Sequence, residues 1–165
     1  MAIRNVLLDS DPMLKKKSRV ITEFNRRLHV LLDDMRDTIV EANGLGLAAP
    51  QVGVLRRVAL IIDSSIESED LKSKIVEMIN PEIIKKSGKQ TGREGCLSVP
   101  GVCGIVTRPE TVTIKAQDRD GKEFQLTGKE LTARAICHEL DHLDGILFTE
   151  HVERYLTEEE MESES

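Results

Sequence analysis

The segment from Lys129 to Gly145, KELTARAICHELDHLDG, predicts one helix that runs to about Asp144 and is ended by the glycine. It carries the motif HExxH, with histidines at His138 and His142. Successive helical residues advance by about 100°, so side chains four positions apart differ by only about 40° and project from one face. Two histidines in this arrangement can share a tetrahedral metal ion. Because the motif fixes only three positions, two ordinary core histidines are the alternative interpretation.

The rest of this helix is apolar on both of its faces. Leu131 and Ala135 share the face of the two histidines, whereas Ile136, Leu140 and Leu143 lie on the opposite side. A helix that is apolar all round is expected in the centre of a fold. Buried imidazoles need polar partners, and a metal ion supplies one.

A catalytic metal site needs a third protein ligand beside the two histidines. The candidates are the other cysteines and histidines: Cys96, Cys103, Cys137, His29 and His151. Cys137 lies about 100° around the helix from the first histidine, so its thiol should point away. His29 and His151 lie in polar surroundings and are expected at the surface. Among the remaining two, Cys96 follows Gly95, and this glycine allows a close approach of the backbone to a site.

The segments before this helix predict a first helix and a loop. The periodic apolar residues after Thr22, which is the predicted N-cap, indicate an amphipathic helix that runs to about Asn43 and stops at Gly44. The next segment, 44–53, is apolar in its middle but contains two early glycines and Pro50. We expect it to form an irregular loop that lies against the core.

Strand patterns follow this loop. The predicted strands are Val58–Asp63, Ile75–Ile79, Val112–Gln117 and a return strand with Phe124 and Leu126. Asn80 and Pro81 are expected to end the second of them. The Asp120-Gly121 dipeptide predicts the hairpin turn between the last two.

Length and composition limit the class of protein. The 165 residues are expected to form a single catalytic domain over positions 1–165, with an acidic tail from about Glu150 that frays at its end. A net charge of −6 argues against direct binding of nucleic acid. No signal peptide or long apolar span is visible, and the odd number of three cysteines suggests a reducing compartment, so a cytoplasmic protein without membrane contact is expected.

Three motifs together give a specific resemblance. They are GLGLAAPQ at Gly44–Gln51, EGCLS at Glu94–Ser98 and HELDHLDG at His138–Gly145. In this order and spacing they resemble the signature motifs of peptide deformylases, and the resemblance extends over roughly Ile3–Thr149. The sequence departs from the family pattern at Cys137, where a glutamine is usual, and at Arg93, where an acidic residue is frequent.

The resemblance implies an enzyme that hydrolyses the formyl group from the N-terminal formyl-methionine of new polypeptides and releases formate. It implies an α+β fold, with antiparallel strands packed around a central helix that carries HExxH. The implied metal ligands are Cys96, His138 and His142. The softness of this ligand set permits zinc, iron, nickel or cobalt, and the resemblance implies ferrous iron. Formyl-methionyl peptides and nascent chains are the implied partners, with the ribosome as a further candidate.

The same three motifs suggest individual roles. Glu139, on the flank of the histidine face, is positioned to take a proton from water and pass it to the leaving amine. By resemblance, the Gln51 amide and the backbone N–H of Leu97 stabilise the oxyanion. Substrate binding is assigned to a larger set of residues: Gly44, Leu45, Gly46, Glu94, Gly95, Leu131 and Ala135.

Two other functions agree with the HExxH helix alone. A zinc endopeptidase would cut internal bonds of unblocked peptides. A structural metal site or interaction module would hold four protein ligands and no catalytic water.

Overall fold

The computed structural model describes residues 2–163 and shows an α+β fold. Its helices are α1 (Arg26–Glu41), α2 (Leu131–Leu143) and α3 (Glu158–Glu162). Its strands are β1 (Gly46–Ala48), β2 (Val58–Ile62), β3 (Ile75–Ser87), β4 (Gln90–Cys96), β5 (Val99–Arg108), β6 (Thr111–Gln117), β7 (Glu123–Lys129) and β8 (Arg154–Tyr155). Short 3-10 helices occupy Pro12–Lys15, Ala49–Val52, Leu71–Lys74 and Phe148–Glu150.

All strand pairs in the two sheets are antiparallel. Five strands form one sheet in the order β1-β2-β3-β6-β7, and three form a second in the order β4-β5-β8. Helix α2 packs between them, against β1, β2, β6 and β7 of the first sheet and β5 of the second. The expected α+β class with antiparallel strands around a central helix is therefore confirmed.

Helix α2 is buried over almost its whole length. On one side, Ile136, Leu140 and Leu143 join the core between the helix and the large sheet. The helix ends at Leu143, Asp144 is its C-cap residue, and Gly145 then adopts a φ of +76°. A side chain at this position would meet the backbone of Lys15, with a Cβ only 2.5 Å from its carbonyl oxygen, so glycine is required here for two reasons.

Helix α1 begins three residues later than the sequence pattern suggested. The predicted N-cap Thr22 is wrong, because the side chain of Asn25 accepts the backbone N–H of Leu28 at 3.2 Å and caps the helix. The helix ends at Glu41, within two residues of the predicted end. Its apolar face covers the other side of the large sheet.

One predicted strand end needs correction. The expected end of the second strand at Asn80-Pro81 is wrong, because β3 continues to Ser87. Asn80 takes a φ of +52°, its side chain bonds to the backbone of Ile21, and the pairing with β6 shifts register there. Proline is tolerated in a strand at such an irregularity.

The predicted loop at 44–53 is partly regular structure. Gly46–Ala48 forms the edge strand β1, and Ala49–Val52 forms a 3-10 helix. Residues 46–51 are buried, as expected for a segment that lies against the core. Strands β4 and β5 were not predicted, because their glycines and polar residues give no clear alternation.

The acidic tail is folded as far as the structure describes it. Strand β8 pairs with β5, and α3 is capped by Thr157, whose hydroxyl accepts the Glu160 N–H. The predicted tail from Glu150 therefore begins with ordered elements, and its last two residues, 164–165, lie outside the described part. None of the helices within residues 2–163 combines the length and apolarity needed to cross a membrane.

Candidate metal centre

Three soft or borderline metal ligands meet between β4 and α2. Cys96 ends β4, and His138 and His142 project from the same face of α2. Their ligand atoms all lie within 4.8 Å of one another, and the Cys96 Sγ is 3.4 Å from Nε2 of His142. Two imidazoles and one thiol at these separations suit a tetrahedral divalent metal with one further position.

Hydrogen-bond donors surround the sulfur of Cys96. The backbone N–H of Ser98 lies 3.4 Å from Sγ and the side-chain amide of Gln51 lies 3.6 Å from it. A register shift at Gly95 and Cys96 interrupts the pairing of β4 with β5 and turns the chain back at this point. These contacts fix the position of the sulfur, and cysteine is a usual ligand of such metals.

A buried carboxylate orients the first histidine. Oε2 of Glu94 accepts the Nδ1–H of His138 at 2.8 Å, which leaves Nε2 free for a metal. The same carboxylate accepts two bonds from Arg108, at 2.6 and 3.1 Å, and one from Arg134 at 2.9 Å. Burial alone would raise the pKa of Glu94, but the bonds from His138 and Arg108 lower it to about 2.

The charges around the two imidazoles favour a cation. Burial opposes charge on His138, yet the anionic groups of Glu139, Cys96 and Glu94 raise its pKa to about 10. Burial and the positive charge of His138 lower the pKa of His142 to about 3. The anionic surroundings therefore retain one positive charge at this imidazole pair, on His138, and the same surroundings would favour a divalent ion.

Glu139 is enclosed beside the histidines. Burial raises its pKa to about 7, and within the described residues its Oε1 has no hydrogen-bond partner. Gly46 of β1 leaves the space for it, because a Cβ at that position would lie 2.5 Å from the carboxylate. A buried carboxylate oxygen without a partner costs about 1–3 kcal/mol, which a bound ligand would offset.

The side chain of Gln51 is fixed at both ends. Its Oε1 accepts the backbone N–H of Ala48 at 3.0 Å, and its Nε2 donates to the hydroxyl of Ser98 at 3.0 Å. The amide N–H groups therefore point towards Cys96, next to Leu97. This arrangement holds the amide beside the sulfur of Cys96.

These groups open into one cleft of about 370 Å³. All of the residues that the sequence analysis assigned to substrate binding line it: Gly44, Leu45, Gly46, Glu94, Gly95, Leu131 and Ala135. Gln51, Leu97, Cys96, His138 and Glu139 line it as well, whereas His142 lies deeper and is fully buried. The cleft is also lined by residues without an assigned role, among them Arg93, Val102, Cys103, Arg134 and Met161.

The other candidate ligands lie apart from this group. Cys137 packs in the core, where burial raises its pKa to about 11. Cys103 lines the cleft but is not part of the three-ligand cluster. His29 is half-buried, with Nε2 2.8 Å from the carbonyl oxygen of Arg119, and His151 is exposed with Nε2 3.3 Å from Asp141.

Three polar residues of the site were missed in the sequence. Arg108 and Arg134 hold Glu94, and Ser98 holds Gln51. Arg134 gave the one local signal, because an arginine on an apolar, buried helix needs a buried anionic partner. The partner of Arg134 is 40 residues away in sequence, so its identity required the fold.

Comparison with known proteins gives one consistent family. The family model described as Polypeptide deformylase matches residues 3–158. The peptide deformylase of Caldicellulosiruptor bescii is 52% identical over 98% of this chain and 93% of the relative, and that of Acetivibrio thermocellus is 49% identical over 98% and 91%. The crystal structure of a peptide deformylase from Legionella pneumophila has a TM-score of 0.84 at 40% identity, covering 98% of this chain and 90% of that one. The Thermotoga maritima enzyme has a TM-score of 0.84 at 29% identity, with 92% and 99% covered.

Proposed function

The chain belongs to the peptide deformylase family, whose members remove the N-formyl group from nascent polypeptides, and we propose that Cys96, His138 and His142 hold the metal ion for this reaction. The observation that carries the proposal is the meeting of these three ligand atoms within 4.8 Å, beside the buried carboxylate of Glu139. One cysteine and two histidines form an open three-ligand site, as catalytic metals require. We treat residues 1–165 as one catalytic domain.

Ferrous iron is the proposed ion, and zinc, nickel and cobalt fit the same ligand set. When bound, such an ion supplies Lewis acidity, which lowers the pKa of a water molecule towards neutrality and polarises a carbonyl group. Glu94 acts by orientation: it fixes the ring of His138 through Nδ1, and its own oxygens are engaged by Arg108 and Arg134. The sequence analysis assigned Glu94 to substrate binding, and we propose this positioning role in addition.

Glu139 serves as the acid and base of the reaction. Its pKa near 7 allows the carboxylate to take a proton from the attacking water and to return it to the amine that leaves. Burial, the largest cause of this shift, also excludes competing water from the carboxylate. The formyl C–N bond then breaks, with formate and a free N-terminal amine as products.

Gln51 and Leu97 stabilise the charge that develops on the formyl oxygen. The bonds from Ala48 and to Ser98 hold the Gln51 amide in place before substrate arrives, so little reorganisation is needed in the transition state. The backbone N–H of Leu97 follows Cys96 directly and adds a second donor.

The substrate lies along the edge of the large sheet. Strand β1 is the first strand of that sheet, so one of its edges faces away from β2. An extended peptide can pair with this edge at Gly44 and Gly46, in the manner of strand addition. The methionine side chain then enters the apolar part of the cleft at Leu45, Leu131 and Ala135. Nascent chains on the ribosome, in the cytoplasm, are the physiological substrates in this proposal.

Formate release from a formyl-Met-Ala peptide, compared with its acetyl and unblocked analogues, tests the proposal. Acetyl adds a methyl group where the nucleophile, Gln51 and Leu97 converge, so we expect turnover of the formyl peptide alone. Comparable rates on the acetyl peptide, or cleavage of internal bonds, would contradict the proposed site. Metal analysis of protein isolated without oxygen should give iron near one equivalent in the wild type and none in Cys96→Ala.

A further inference from the structure

The C-terminal segment forms part of the cleft wall. Strand β8 pairs with Gly104 and Ile105 of β5, and the chain then turns into α3. Met161 of α3 lines the same cleft as His138 and Glu139. The segment that carries the acidic residues of the C-terminus therefore contributes an apolar side chain to the site.

Several contacts hold α3 in this place. A helix of five residues is too short to be stable alone, so its position depends on them. Arg93, at the rim of the cleft, donates to the carbonyl oxygen of Glu160 at 2.8 Å. Arg154 makes two bonds to the Glu160 carboxylate, at 2.8 and 3.0 Å. Leu156 is buried, and its N–H donates to a carbonyl oxygen of β5 at 2.9 Å.

The lining of the cleft combines small and large side chains. Gly95 and Ala135 fill little space, so the longer apolar side chains of the lining, Met161 among them, limit its width. Methionine is flexible and polarisable, and it packs well against other flexible apolar chains.

We propose that Met161 is a specificity-determining residue, which contacts the side chain of the formylated residue and narrows the cleft to unbranched apolar side chains. The inference rests on the substrate placement given under the proposed function. Arg154 and Arg93 then act as positioning residues, because they fix α3 and do not themselves form the apolar contact.

Peptides that differ only in the formylated residue test this inference. We compare formyl-Met-Ala, formyl-norleucyl-Ala and formyl-Phe-Ala on the metal-loaded enzyme. Met161→Ala should lower the preference for Met over Phe, as a ratio of kcat/KM, by roughly tenfold, mainly through KM. Met161→Leu keeps an apolar side chain of similar volume and should retain most of the preference.

Two further variants separate specificity from stability. Arg154→Ala lies outside the cleft lining and should shift the same ratio in the same direction by a smaller factor, because α3 loses an anchor. Glu159→Ala, an exposed change in the same helix, is the matched control and should leave the ratio unchanged.

An unchanged ratio in Met161→Ala overturns the inference, as does an equal loss on all three peptides or a response that appears only when the second residue is varied. Turnover of formyl-Met-Ala by the wild type tests the proposed function separately.

Discussion

Two carboxylates in this protein are each held between two arginines, with opposite consequences. Glu94 of β4 is bound by Arg108 and Arg134, and the side chains of all three are at most 8% exposed. Glu77 of β3 is bound by Arg36 of α1 and Arg119, whose side chains are 27% and 31% exposed. The first cluster also binds His138, whereas the second joins α1 to the large sheet.

The two clusters differ in how deeply they are buried and in what the carboxylate holds in place. Removing two ions from water costs several kcal/mol each, so a fully buried cluster is weak support for stability. The Glu94 cluster keeps one imidazole in one orientation, and that is its contribution to the site. The Glu77 cluster is partly open to solvent, costs less to form, and links two elements of the scaffold. The same arrangement thus supports function in one place and stability in the other.

The largest expected effect concerns a carboxylate without arginine bonds. Glu139 has no partner at Oε1 among the described residues and stands beside His138. Glu139→Gln should lower kcat by roughly 10²–10⁴-fold and leave the metal bound, because its proposed role is proton transfer. Formate release and metal content of the same sample measure both effects.

The histidines provide the contrast to Glu139. His138→Ala and His142→Ala should lose the metal together with activity. If Glu139→Gln stays folded but loses the metal, the carboxylate is a ligand and the proposed acid–base role is wrong.

Gln51→Leu comes next in size. The amide is proposed to meet charge only as it develops, so kcat should fall by roughly 10²–10³-fold with a much smaller change in KM. Gln51 also bonds the Ser98 hydroxyl, and Ser98→Ala serves as a control for that contact. A variant in which KM alone changes would assign Gln51 to ground-state binding.

Glu94→Gln and Glu77→Gln compare the two clusters directly. The amide keeps the shape of Glu94 but presents an N–H group to donors, so His138 loses its fixed orientation. Metal affinity should fall by roughly 10–100-fold. Competition with a chelator measures the metal affinity. Glu77→Gln, folded under the same conditions, should have the same metal affinity as the wild type. Equal affinities in all three proteins would show that Glu94 does not act through the histidine.

The sequence was most informative where function depends on local spacing. His138 and His142 meet because residues four apart share a helix face, so the helix and the juxtaposition of the two imidazoles were predictable from the sequence. Gly95 beside Cys96 was only a weak local signal, because Cys103 also has a neighbouring glycine, so the choice between the two cysteines required the family resemblance. The local signal was misleading where two candidate N-cap residues lay close together in sequence. Asn25, and not Thr22, caps α1.

The rest depends on contacts between distant segments. Strands β4 and β5 contain four glycines between them and show no alternation, and they become strands by pairing with each other. The Glu94 cluster joins residues 14 and 40 positions apart. The tail was interpreted from its charge, but Leu156 and Met161 pack inward, and Glu160 pairs with Arg154. Such packing has no periodic signal in the sequence.

The smallest expected effect is on acid stability at the Glu77 cluster. Burial alone would raise the pKa of Glu77, but the bonds and charges of Arg119 and Arg36 lower it below its ordinary value of 4.5. A folded-state pKa below the unfolded one stabilises the fold above the unfolded pKa, and this contribution is lost as the pH falls towards the folded value. Glu77→Gln should therefore reduce the free energy of unfolding by about 1–3 kcal/mol at neutral pH.

The pH dependence identifies the origin of this loss. Because the wild-type contribution begins to decline at about pH 4.5 and is lost towards the lower folded-state pKa, the gap between wild type and Glu77→Gln should shrink steadily as the pH is lowered from there. Urea unfolding followed by circular dichroism at several pH values measures the gap. Glu123→Gln, which breaks the exposed pair with Lys115, is the matched control and should change stability by about 0.5 kcal/mol or less at any pH. A gap for Glu77→Gln that stays constant down to acid pH would mean that Glu77 stabilises the sheet through packing. The Glu77 and Glu94 clusters would then share their geometry, but the charge of Glu77 would not contribute to stability.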